Sequence, residues 1–91
     1  MNVYCITQKF DDKVVAGKLF EATTDGDALR AISMSFRDVE PSLRPIMQSS
    51  SLCRVGSFDE DSIKLAAEKK PVIVKADLSV LCTFKEDSHV R

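Results

Sequence analysis

The sequence predicts an α+β domain, a small, mainly antiparallel sheet with one amphipathic helix packed on one face. Three observations lead there. Runs rich in valine, isoleucine, tyrosine and cysteine are separated by short polar clusters, the mark of strands and hairpins. Only one stretch has a helical period: Leu29, Ile32, Phe36 and Val39 are spaced by three, four and three. The chain has 91 residues, enough for one hydrophobic core and not two.

Taken in order, "NVYCITQKF" reads as a strand over residues 2–10. "DDK" at 11–13 is turn-like, and "VVAGKLFEAT" reads as a returning strand over 14–22. Gly17 inside it points to a bulge or bend. A helix is expected near 25–38. Thr24 stands at the N-cap with Asp27 three residues on, a variant of the capping box, and Asp25 and Asp27 suit the positive end of the helix dipole. Asp27, Arg30, Ser33 and Arg37 fall on the opposite, wet side. Pro41 and Pro45 discourage continuation, and Arg44 lies between them in a stiff connection. Further strands are expected at 51–58, 62–67 and 71–84, with Asp77 marking a break in the last run. Residues 1–85 then form the domain, and 86–91 a polar C-terminal tail.

The charge excludes several functions. Thirteen basic and fourteen acidic residues give a net charge of −1. Residues 1–58 carry seven of each sign, and 59–91 carry six basic and seven acidic. Without a basic tail or block, duplex binding by a broad basic stripe is not expected, although a local patch stays open. Cys5, Cys53 and Cys82 are isolated, odd in number and without CxxC spacing, so neither a disulfide framework nor a zinc site is expected. Each sits in an apolar run and reads as a small buried hydrophobe, a reactive thiol being the alternative. Free thiols place the protein in a reducing compartment. No apolar run approaches the roughly 18 residues of a membrane span, and no signal peptide is expected.

The acids Asp59, Glu60 and Asp61 admit three readings. A calcium loop needs alternating acids, a central glycine and a distant glutamate, which "DEDSIKLAAEKK" lacks, so no metal is expected. Asp61 can cap a helix through "SIKLAAEKK". The acids can equally turn a hairpin between Phe58 and Ile63. The pattern by itself leaves helix and hairpin open.

"LCRVGSFDEDS" is similar to a pattern of leucine, any residue, arginine or aromatic, aliphatic, glycine, any residue, aromatic, then an acidic turn. "LFEATTDGDALRAI" resembles the piece upstream of it in the same family: a phenylalanine (Phe20), a short loop with an acid (Asp25), then Ala28, Arg30 and Ala31 at the helix start. "NVYCITQKFDDKV" resembles the opening strand and turn. Together these resemble the small nonstructural protein of the gokushovirus branch of the microviruses, small single-stranded DNA phages, over roughly residues 2–66. The resemblance implies that the acids turn a hairpin. Where that turn usually carries a glycine a few residues on, this chain has Ser62 and Ile63. It also implies a nonstructural role in genome replication or packaging, in the cytoplasm of a bacterial host.

No nucleophile elbow, P-loop, dinucleotide fingerprint or HExxH occurs, and His89 is the only histidine, so no enzyme and no cofactor are expected. Single-stranded DNA is held by aromatic platforms beside basic side chains. "YCITQKF", "SLCRVGSF" and "FKE" have that mixture, against the plainer reading that these aromatics fill the core. The candidate phosphate contacts are Arg30, Arg37, Arg44, Arg54 and Lys75. The alternative is a protein-interaction module that binds the phage replication protein or a host protein without touching DNA. Apolar residues outnumber what one helix can cover, so a homodimer through the sheet is expected.

Overall fold

The computed structural model describes residues 1–85, so the tail expected at 86–91 lies outside the described residues. The chain runs β1 (Asn2–Phe10), β2 (Lys13–Ala22), α1 (Asp25–Ser35), a 3₁₀ turn (Pro41–Leu43), α2 (Arg44–Gln48), β3 (Ser50–Asp59), β4 (Lys64–Ala76) and a second 3₁₀ turn (Leu78–Leu81). The four strands form one antiparallel sheet in the order β2-β1-β3-β4, with helices on one face. The predicted α+β class is the observed one.

The β1–β2 hairpin turns on Asp11 and Asp12, and Asp11 takes φ 55°, a left-handed conformation that aspartate tolerates. The bulge expected at Gly17 is present: the register slips between the pairs Cys5↔Leu19 and Thr7↔Ala16. A Cβ on Gly17 would stand 3.0 Å from the Ile6 carbonyl oxygen. Thr24 caps α1 as its sequence suggests, its hydroxyl accepting from the Asp27 amide at 3.1 Å. Ile32 is buried, and Leu29 and Phe36 pack half-buried against the core. The helix stops at Ser35 rather than 38, because the chain turns at Phe36 and Asp38 takes φ 53°. Residues 36–39 then run beside 83–85, with Thr83 N–H donating to Phe36 O and Val39 N–H to Thr83 O.

Two expectations about the last third need correction. The strands 62–67 and 71–84 are one strand, β4, from 64 to 76. Between the pairs Arg54↔Val72 and Gly56↔Ala67, β3 has one intervening residue and β4 has four, Glu68 to Pro71. Proline has no N–H for the ladder, so it sits in this bulge of an edge strand. Asp77 ends β4: at φ 57° it reverses the chain, and its carboxylate accepts from the Ser79 amide at 3.1 Å to open a 3₁₀ turn. That turn delivers Leu78 into the core, where a continued strand would have carried it past the sheet. Arg44, expected in a loop, opens the short helix α2, with Pro45 in its first turn where a missing N–H is harmless.

The three acids turn a hairpin. Asp59 pairs with Lys64 across it and accepts from the Asp61 amide at 3.0 Å; the Ser62 hydroxyl, and then that amide, hold the Asp59 carboxyl below its usual value. Ile63 closes the turn at φ 56° with its side chain 79% exposed. A β-branched residue there is strained by about 1–2 kcal/mol, and no packing compensates. Ile63→Gly is therefore expected to stabilise the fold by about 1 kcal/mol, after allowing for the entropy glycine adds to the unfolded chain. A lower midpoint in urea denaturation would contradict this turn geometry.

The core lies between the helices and one sheet face. Tyr4, Ala22, Ala28, Ile32, Met47, Leu52 and Leu78 are buried together, and the Tyr4 and Phe20 rings stack at 5.7 Å. β3 is thus apolar on both faces: Leu52 enters this core, while Cys53 lies beside Cys5 on the other face. No helix among the described residues is long and apolar enough to cross a membrane.

Candidate nucleic-acid interface

The five candidate cations have different fates. Arg54 is committed to the fold. Its Nη1 donates to both oxygens of Asp25 at 3.2 and 3.0 Å, and its Nε to Glu68 Oε2 at 3.2 Å. Asp25, the first residue of α1, also accepts from the buried Tyr4 hydroxyl at 2.5 Å, and Asn2 Nδ2 donates to that same hydroxyl. One carboxylate thereby fastens the helix start to β1 and β3. Glu68 reaches Arg54 because the Pro71 bulge lifts residues 68–71 out of the ladder.

The Tyr4 hydroxyl, and then Arg54, hold the Asp25 carboxyl below its usual range. Burial, and then Asp25, push the Tyr4 hydroxyl above its own. A depressed carboxylate stabilises the fold fully above its unfolded pKa, and that contribution disappears as pH falls through the lower folded value. Stability should therefore drop on acidification below about pH 4, and Asp25→Asn should flatten the drop. An unchanged slope between wild type and variant in acid denaturation would remove Asp25 from this role.

Arg30 is exposed on α1 and pairs with Asp27 at 2.7 Å, a surface contact worth about 0.2–1 kcal/mol. Lys75 is half-buried on β4 beside Leu52, and among the described residues it has no ion-pair partner. Arg37 and Arg44 both belong to segments that meet residues 83–85. Arg37 lies exposed in the segment bonded to residues 83–85. The Arg44 guanidinium sits 4.0 Å from the centroid of the Phe84 ring. Lys85 follows, 3.5 Å from Glu40. The segments carrying Arg37, Arg44 and Lys85 thus converge around Phe84, a half-buried ring packed against the core, with the acids Asp38 and Glu40 in the same neighbourhood. Phe84 and Lys85 fall in "FKE", so the mixture was visible in the sequence. Its pairing with Arg44, forty residues away, was not.

Burial raises the Cys5 and Cys82 thiols, which keeps them protonated, and the Cys82 thiol donates to the Leu78 carbonyl. Cys5 and Cys53 are buried, as expected, and Cys82 is half-buried. An open groove of about 550 Å³ lies on the helix side, lined by Ile6, Val15, Phe20, Ile32, Phe36 and Met47 among others. Among the described residues no cluster of ligating side chains could hold a metal ion.

Residues 1–85 match the family model described as Phage ORF5 protein, and the chain belongs to that family of phage proteins. No curated protein and no solved structure matches it.

Proposed function

We propose, with membership of that family as the premise, that this is a non-enzymatic, nonstructural protein of the gokushovirus-type single-stranded DNA phages. On this reading it works in the cytoplasm of the bacterial host, in genome replication or packaging, by weak binding of single-stranded DNA. The observation that carries it is the Arg44 guanidinium over Phe84, with Arg37 and Lys85 on the adjoining segments. Single strands are held by this combination, cations for the phosphates and planar groups for the bases. Arg54 and Arg30, held by acids at 2.7–3.2 Å, contribute less than Lys85, whose contact with Glu40 is longer, at 3.5 Å between two exposed side chains.

The test is a fluorescence titration with a labelled single-stranded oligonucleotide at several salt concentrations. Three phosphate contacts give a log–log salt slope of about −2, at about −0.7 per contact. Arg37→Ala and Arg44→Ala should each flatten the slope by about 0.7, and Arg30→Ala should change it less. With a net charge of −1, affinity should be micromolar or weaker. No binding at low salt, at protein concentrations well above that range, would refute the reading. It would leave the second one, a module that binds the phage replication protein or a host protein, which the apolar groove on the helix side favours.

A further inference from the structure

The helices cover one face of the sheet. On the other, register places Val3, Cys5 and Cys53 in the centre, with Val14 and Leu19 from β2 on one flank and Leu65 and Ile73 from β4 on the other. Val3, Cys5 and Cys53 are buried by their flanking neighbours, but those neighbours are not: Val14 is 66% exposed, Leu19 61%, Leu65 70% and Ile73 65%. Four aliphatic side chains ringing a buried apolar centre make a continuous patch, of a kind that single exposed residues do not. Near one end it dips into a hollow of about 310 Å³ between Val3, Leu19, Phe58 and Leu65.

The molecule is long and thin, 58 × 29 × 16 Å across its Cα atoms. The radius of gyration is 15.0 Å, where a compact domain of this length has about 12 Å. The accessible surface is 6507 Å², against about 5,300 Å² for a compact monomer of 10.1 kDa. The surplus, about 1,200 Å², is spread over the extended hairpins as well as this face, and it leaves room for the roughly 800 Å² that each partner buries in a stable interface.

We propose that a second copy of this chain covers this face, so that two sheets pack into a sandwich with the helices outside. An identical chain supplies an equally apolar surface of the same shape, and an isologous contact needs nothing else to match. A phosphate backbone would find no cation at the aliphatic centre. The charges on the face also suit self-pairing. By register Lys9 and Glu21 lie at its opposite ends, six residues apart along β1 or about 20 Å. Two copies stacked with strand directions reversed set Lys9 of each over Glu21 of the other.

Sedimentation velocity and light scattering over a concentration series should give twice the 10.1 kDa chain mass. Leu19→Arg and Ile73→Arg should each weaken association roughly tenfold or more while the circular dichroism stays native, since both side chains are exposed in the single chain. Glu21→Lys should weaken it at low salt, and adding Lys9→Glu should restore it. Ala31→Arg, beside the helix-side groove, should leave the mass unchanged. If the arginine variants unfold, hydroxyl-radical footprinting of the wild type decides: Leu19, Leu65 and Ile73 should become protected as concentration rises. A monomer throughout the series, a dimer lost only in Ala31→Arg, or a dimer without that protection would each overturn the proposal.

Discussion

Leu52→Ala is expected to lower stability by roughly 3–5 kcal/mol, a large part of the 5–15 kcal/mol typical of a whole domain. Leu52 is fully buried on the central strand β3, and it meets the cores of α1, α2 and the Leu78 turn at once. The neighbours are fixed by sheet pairing on both sides, with Ile6 on β1 and Lys75 on β4, so the cavity cannot easily close. The thermal midpoint should fall by roughly 15–30 °C. A loss below about 1 kcal/mol would show that the site collapses around the smaller residue, and that the core is not held by β3.

Gly56→Ala is expected to cost about 2–3 kcal/mol by a different route. The added Cβ would stand 2.5 Å from the Ala66 carbonyl oxygen and 3.3 Å from the Ala67 Cα. Both are backbone atoms, so no side chain can swing aside, and β4 must move away from β3. Amide exchange should therefore rise along residues 64–67 more than elsewhere. Gly26→Ala is the control, since its Cβ would meet nothing nearer than the Thr24 hydroxyl at 3.7 Å. If both variants were equally stable, the close approach of β3 and β4 at Gly56 would be wrong.

The Arg54 ion pairs bear on function as well as on the fold. An arginine in a strand, read from sequence alone, invites a phosphate-contact reading. Here its guanidinium is shared between Asp25 and Glu68, and freeing it would loosen α1 from the sheet. The patch around Phe84 costs the fold less: Arg37 and Arg44 are both exposed, and either can be replaced without opening the core.

What the sequence determined by itself was local. The three–four spacing of Leu29, Ile32 and Phe36 defines α1, because only a helix puts those residues on one side. Thr24 and Asp27 set its start, Gly17 marks the bulge, and Asp11–Asp12 mark the first turn, since each depends on the backbone within a few residues. The second hairpin was legible only with the resemblance, because "DEDSIKLAAEKK" suits a capped helix equally well. Tertiary structure decided the rest. Residues 64–76 are good helix formers at their start, yet they extend because β3 offers a hydrogen-bonded ladder, and non-local pairing outweighs propensity. The strand order β2-β1-β3-β4, the partners of Arg54 and the placing of Arg44 over Phe84 join residues far apart in the chain. No local pattern encodes such pairs, because their energy exists only after the chain has closed the loops between them.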